Sequence, residues 1–315
     1  MNQNLPLSSR IIGSFPDQGL EPRLVIFAGV HGNEPSGVLA LQRVFEHLRT
    51  HRLPLQGQLI GVLGNMEALR QGVRYLDKDL NRLFLPSYIE QVRANPDERT
   101  TEALELQSIC DLVESLESRA QAPLFFVDCH TTSSASAPFI SLNEGFAASL
   151  RFAQGVPAAA IIGAEKEIQG CLSEWLDQRG WAGFTFEAGQ HRDTRSVDNQ
   201  EAIIWLALWR SGCLDKKQAK PYIDRARATL RRPGSEQQQI YRVFSAYRIR
   251  EDENFRMEPG YRNLQFVHKG ERLAMSDDQP VLASEDAYLL MPLYQPQGNF
   301  GFFLVREMDN ASSSS

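Results

Sequence analysis

His31 and Glu34 stand three residues apart in the stretch VIFAGVHGNE (25–34), directly after an apolar run that ends in a glycine. Both side chains are able to ligate a metal ion. Residues 24–27 (LVIF) are short, branched and uninterrupted, the pattern of a strand buried in a parallel sheet. Pro35 suits the first position of a helix, where its missing N–H is no loss. His31 and Glu34 are therefore expected on the turn leaving the carboxyl end of a strand, where open α/β sheets bind ligands. Alone, an HxxE pair is common by chance, and a helix-capping glutamate beside a surface histidine would look the same. His130 changes the balance, because it too follows an apolar run, residues 124–127 (LFFV), and so reaches the same sheet edge. Two imidazoles and one carboxylate leave a fourth position for water, the donor set of catalytic zinc; structural zinc closes its shell with four protein ligands, usually cysteines.

The elements that must position these residues follow from periodicity. Residues 36–49 place Val38, Leu41, Val44, Phe45 and Leu48 on one face of a helix, and 59–63 (LIGVL) form a second strand. A polar, irregular segment then packs Arg74, Asp77, Asp79, Asn81 and Arg82 into nine positions, and 94–100 read as a solvated loop. Residues 101–119 form a helix with a stripe of Ile109, Leu112, Val113 and Leu116, leading to the strand at 124–127 and Asp128-Cys129-His130. Strand alternation turns Cys129 away from its two neighbours. A Ser/Thr/Ala-rich loop covers 131–138, followed by a helix near 144–154, a strand at 158–162 and a helix near 170–179. A short strand at 184–186 runs into Glu187-Ala188-Gly189, and 199–212 form an apolar helix closed by Gly212. Strands alternating with helices predict a three-layer α/β domain with a mostly parallel sheet. The character changes near residue 216, first to a charged segment and then to short strands and turns. The expected division is a catalytic domain at 1–225, a small β-rich C-terminal domain at 226–310 and a disordered tail at 311–315.

Composition narrows the partners. The chain has 315 residues, 42% hydrophobic and 23% charged, with a net charge of −6 and no Lys/Arg run, which speaks against nucleic acid. No apolar stretch approaches the roughly 18 residues of a membrane span, and the N-terminus lacks the features of a signal peptide. Cys110, Cys129, Cys171 and Cys213 are scattered, as expected of reduced, buried thiols. A cytoplasmic protein with a small-molecule substrate, no nucleic-acid or membrane partner and a possible homo-oligomeric state is the expectation.

HGNE (31–34), RYLDKDLNRLF (74–84), DCHTT (128–132) and FTFEAG (184–189) together resemble the succinylglutamate desuccinylase/aspartoacylase family of the zinc carboxypeptidase superfamily. The resemblance covers roughly residues 20–210, in the family's order, and the β-rich C-terminus matches its layout. It implies a three-layer αβα zinc-carboxypeptidase-like fold with His31, Glu34 and His130 holding one zinc ion. It implies Glu187 as general base, a role that fits a carboxylate able to take a proton from the attacking water and hand it to the leaving amine. Asn81 and Arg82 match a pair that grips the substrate carboxylate, and Arg74 an arginine beside the scissile carbonyl. Asp79 matches an acid that orients His31. Asp128 either serves His130 similarly or caps the strand end. Tyr288 matches a tyrosine that reaches the mouth of the site, His191 is a substrate contact or a rim residue, and Thr131, Thr132 and Ser133 are pocket-lining or ordinary loop polars. The activity implied is hydrolysis of the amide bond of an N-acyl amino acid, of N-succinyl or N-acetyl type. The alternatives are a zinc carboxypeptidase acting on small peptides and a non-catalytic metal- or ligand-binding protein. Residues 131–145 and those after Glu187 depart from a true succinylglutamate desuccinylase, so the acyl group and amino acid stay open.

Overall fold

The computed structural model describes residues 8–17, 19–95, 97, 100–231 and 238–308; the tail expected at 311–315 lies outside them. The chain opens with strand β1 (Ile11–Phe15) and the wholly buried β2 (Arg23–Ala28), followed by α1 (Ser36–Thr50) and β3 (Gln58–Leu63). Three helices follow, α2 (Met66–Gln71), α3 (Pro86–Ala94) and α4 (Thr101–Glu117), with a 3-10 turn at Leu80–Arg82 between the first two. Then come β4 (Leu124–Thr132), β5 (Phe139–Leu142), α5 (Ala147–Ala153), β6 (Ala159–Ile162), α6 (Leu172–Gln178), β7 (Ala182–Gln190), α7 (Arg195–Arg210) and α8 (Lys216–Leu230). The C-terminal strands are β8 (Ile240–Arg248), β9 (Phe255–Met257), β10 (Gln265–Val267), β11 (Arg272–Ser276), β12 (Gln279–Leu282), β13 (Ala287–Leu290) and β14 (Phe300–Glu307).

Strand alternation divides the core in two. Along β2, Leu24, Ile26 and Ala28 pack with α1, α7 and α8, whereas Val25 and Phe27 face α3, α4 and α6. A strand apolar on both faces must be covered on both, so the three-layer αβα architecture follows from that one run. The order across the large sheet is β1-β3-β2-β4-β7-β5-β6-β8-β14-β13-β10. Pairing is parallel from β3 through β2 and β4 to β7; β5 runs antiparallel to β7 and parallel to β6. The β-rich C-terminal region continues this sheet, because β8 pairs in parallel with β6 and β14 in antiparallel with β8. A second sheet of order β12-β11-β9 lies beside it. Among the described residues, no helix is long and apolar enough to cross a membrane.

Three elements differ from the periodicity reading for identifiable reasons. The charged segment after residue 216 is helix α8, and its buried stripe is Ala219, Ile223, Ala226 and Leu230. Two alanines and an internal Pro221 hide that stripe among the charges around it. Strands β4 and β7 each run several residues past their apolar stretch. Both are flanked on either side by other strands, so the ladder carries the backbone through polar residues.

The turn after β2 is shaped by close backbone contact. Gly29 has a φ of +71°, and a Cβ on Gly32 would lie 2.0 Å from the Ala68 carbonyl carbon. A side chain at 32 would therefore push α2 away from the turn that carries His31 and Glu34.

One buried acid makes stability depend on pH. Asp177 of α6 accepts hydrogen bonds from Asn143 Nδ2 (2.7 Å) and Ser149 Oγ, yet burial pushes its carboxyl up to about 6. An unfolded aspartate titrates near 3.9, so the folded state binds the proton more tightly. Stability is lost as pH rises from about 4 through about 6, and the cost is complete above that window. Asp177→Asn is expected to be more stable than the parent at pH 7.5 by roughly 2 kcal/mol and to lose that advantage near pH 4. Urea unfolding at the two pH values measures it; an unchanged difference would remove Asp177 as the source.

Candidate metal centre and substrate cavity

The parallel pairing of β2, β4 and β7 brings three sequence motifs to one sheet edge. In the β4–β7 register His130 lies opposite Glu187. Phe126, Asp128 and His130 share one face of β4, while Cys129 turns to the other and is buried with the α1/α7 core, as expected. On β7, Phe184, Phe186 and Ala188 enter that same core, which aims Thr185 and Glu187 at the opposite face beside His130. The HGNE turn leaves β2 next to β4, and Gly32 N donates to Arg74 O at 3.2 Å, tying the first motif to the second.

Glu34 sits between the two imidazoles. His31 Nδ1 lies 3.0 Å from Oε1 and His130 Nδ1 lies 3.2 Å from Oε2, while the Thr131 N–H donates to Oε2 at 2.8 Å. The outer nitrogen of each ring is met by a carboxylate: His31 Nε2 by Asp79 Oδ1 and His130 Nε2 by Asp128 Oδ2, both at 3.0 Å. The Asp128 oxygens make no hydrogen bond among the described residues, and the 3.0 Å approach to His130 Nε2 favours pairing with that ring over capping the strand end. Both Nδ1 atoms therefore point inward. One donor atom from each of His31, Glu34 and His130 falls within 4.8 Å of the others, and all three side chains are buried.

The charges fit a cation at this point. Burial would raise the Glu34 carboxyl, but His31 and His130 outweigh it and hold it well below the usual carboxylate range. Burial would lower His130, but Asp128 and Glu34 outweigh it and push it well up. The nitrogens and the carboxylate oxygen are the donors zinc takes, and the outer carboxylates fix the rings as they do at metal histidines.

The segment 74–82 forms the next wall. Arg74 Nη2 donates to Asp79 Oδ2 at 3.0 Å, and its Nη1 lies 3.5 Å from Glu34 Oε1. Asp79 also caps the 3-10 turn by accepting from Asn81 N at 3.0 Å. The Asn81 side-chain oxygen accepts from Leu172 N at 2.8 Å, which leaves its NH2 group for the cavity. Arg82 Nη1 donates to Asn81 O at 2.6 Å and lies 3.7 Å from Cys171 Sγ; among the described residues no carboxylate pairs with it.

These side chains line one cavity of about 160 Å³, which brings together His31, Glu34, Arg74, Asp79, Asn81, Arg82, His130 and Glu187, with Thr131, Thr132 and Ser133. Burial pushes the Glu187 carboxyl up to about 8, a shift that a cation held by His31, Glu34 and His130 would oppose, and its Oε2 has no hydrogen-bond partner among the described residues. Tyr288 is not brought to this group. Its ring packs against Tyr241 and Phe266, two residues along β13 from Leu290, the residue of that strand that does reach the cavity. His191 takes the rim position, with Nδ1 2.7 Å from Thr131 Oγ1 and Nε2 3.1 Å from Gln295 Oε1.

The family layout puts the β-rich C-terminus at the mouth through Tyr288, but the residues that build that wall carry no signal in the sequence. The β13–β14 connection brings Met291, Leu293, Gln295, Gly298 and Asn299 over the cavity, and Asn33 Nδ2 donates to Gln295 Oε1 at 3.2 Å. The Pro/Gly/Asn content of 292–299 marks a loop and carries no sign of where that loop lands.

Fold and site together define an α/β protein with a buried His-Glu-His group at one edge of its central sheet. Residues 21–204 match the family model described as Succinylglutamate desuccinylase/Aspartoacylase catalytic domain, and the chain belongs to that family. It is 34% identical over 113 residues to a succinylglutamate desuccinylase of Burkholderia pseudomallei, a match covering 36% of this chain and 32% of that protein. The matched stretch thus spans about a third of the length of that curated relative. Its structure is similar to that of a succinylglutamate desuccinylase/aspartoacylase from Rhodobacter sphaeroides, with TM-score 0.68, 19% identity, and coverage of 93% of this chain and 87% of that one. It is also similar to murine aminoacylase 3, with TM-score 0.62, 18% identity, and coverage of 92% and 97%. At these identities the structural likeness speaks for the fold.

Proposed function

We propose that this chain is a zinc-dependent hydrolase that cleaves the amide bond of an N-acyl amino acid to a carboxylate and an amine. The observation that carries this reading is the buried convergence of His31, Glu34 and His130 donor atoms within 4.8 Å, with Glu187 beside His130 on the neighbouring strand. His31, Glu34 and His130 would hold one zinc ion, which when bound polarises a carbonyl and makes a water more acidic.

The chain's own residues supply the rest. Arg82 and the Asn81 NH2 group bind the substrate carboxylate, a planar guanidinium being suited to two parallel hydrogen bonds. An Arg74 N–H meets the amide oxygen as negative charge develops there. Glu187 takes a proton from the attacking water as the new C–O bond forms, then delivers it to the nitrogen as the C–N bond breaks. Asp79 and Asp128 keep the two imidazoles in place. The β13–β14 connection, held by Gln295 to Asn33 and His191, narrows the mouth toward small substrates. A cytoplasmic setting is part of the proposal and agrees with four free cysteines.

Metal analysis of the purified chain, combined with amine release from N-acyl amino acids and from dipeptides, tests the reading. Zinc-dependent release from N-acyl amino acids, lost on chelation and restored by zinc, is expected. Cleavage confined to dipeptides would replace the acylase with a carboxypeptidase.

A further inference from the structure

We propose that the substrate of this site carries a single carboxylate and a compact apolar group, and that di-acid substrates are disfavoured. This rests on the amide-hydrolase reading above and narrows it. The first support is the count of cations. Among the described residues, Arg74 and Arg82 are the only arginines or lysines lining the cavity. Arg74 is already balanced by Asp79 at 3.0 Å and lies near Glu34 at 3.5 Å. An N–H it retains is enough for an amide oxygen, but its charge is spent. Arg82 is the one guanidinium left for a substrate carboxylate.

The second support is the wall away from the metal centre. Phe139 of β5, Ile161 of β6, Leu290 of β13 and Phe300 and Phe303 of β14 line it, with Ile168 beside them. The polar groups among them are neutral, the hydroxyls of Ser141 and Thr185 and the amides of Asn143 and Asn299, and the charged one is Glu165, an acid. A second substrate carboxylate placed there would lose its hydration and meet apolar carbon and another anion, the costly case of an unpaired buried charge. An aliphatic or aromatic group would instead gain by leaving water. The cavity volume of about 160 Å³ is close to the roughly 150 Å³ of an engineered apolar cavity that takes up benzene. That space must also take the amide and the carboxylate beside Arg82, so the apolar group is held to a small branched aliphatic or a single ring. It arrives either as the amino-acid side chain or as the acyl chain, since both flank the scissile amide.

The test uses the full, zinc-loaded chain and two matched pairs. N-acetylleucine against N-acetylaspartate probes the side chain, and N-pentanoylglycine against N-succinylglycine probes the acyl chain. The mono-acid is expected to have the higher kcat/KM in both pairs, by about tenfold or more. The pair with the larger ratio shows which end meets the apolar wall. A di-acid cleaved as well as or better than its partner, in either pair, overturns the inference. If none of the four is cleaved, the hydrolase reading fails, and calorimetric binding of 4-methylpentanoate against glutarate to the same protein still decides the inference. Tighter binding of the mono-acid supports it, and equal or tighter binding of glutarate overturns it. Ile168→Lys, which adds a cation to the wall, is expected to shrink the mono-acid preference by about tenfold. An unchanged ratio in a folded variant counts against the wall as the source of selection.

Discussion

Glu187→Gln is expected to lower kcat by about 10²–10⁴-fold while fold and zinc content stay as in the parent. The substitution keeps the shape of the side chain and removes its ability to accept a proton. It breaks no network, because Glu187 Oε2 has no hydrogen-bond partner among the described residues. The residue lies on the central strand β7, held by β4 on one side and β5 on the other, so an isosteric change leaves the backbone in place. KM should change little, since Arg82 and Asn81 carry carboxylate binding in the proposed scheme. Steady-state kinetics with metal analysis on the same preparation checks all three quantities. Zinc retained with undiminished hydrolysis would take Glu187 out of the mechanism.

His130→Ala is expected to remove stoichiometric zinc and, with it, activity. It deletes one of three donors and leaves the buried Asp128 without its imidazole. Leaving one member of a buried ion pair uncompensated costs about 3–5 kcal/mol, so the variant should also be less stable than the metal-free parent. Asp128→Asn separates the two effects. It keeps all three donors but gives up the acid behind His130, and is expected to weaken zinc by about 10–100-fold. Competition with a chromogenic chelator measures affinity. Thermal unfolding with and without added zinc measures linkage, since an ion bound only by the folded state raises Tm. A His130→Ala protein whose Tm still rises with zinc as the parent's does would place the ion elsewhere.

The metal-capable turn was legible because its signals are local. The LVIF run, the glycine and the proline around HGNE define strand, turn and helix within about a dozen residues, and the structure places β2 and α1 there. DCH and FEAG each follow an apolar stretch, so both were expected at a strand's carboxyl end. The structure instead continues β4 and β7 through His130 and Glu187. The alternation that turns Cys129 into the core survives that change, because a strand's period of two does not depend on where the strand stops. Helix α8 escaped because its stripe is half alanine, and Tyr288 was carried to the mouth by family layout without a local signal to check it.

What the amino-acid sequence determines by itself is therefore the set of side chains that do chemistry and the kind of local element each stands on. Hydrophobic periodicity reports which face of a strand or helix is buried and says nothing about which strand is its neighbour. That β4 pairs with β7 so that His130 meets Glu187, and that β8 joins β6 so that β13 and β14 wall the cavity, are long-range pairings. They depend on closing many residues of intervening chain and on total burial across the sheet. The donors of the HGNE turn are thus written in a few adjacent residues, whereas the space that selects the substrate exists only once strands as far apart in the chain as β6 and β8 lie side by side.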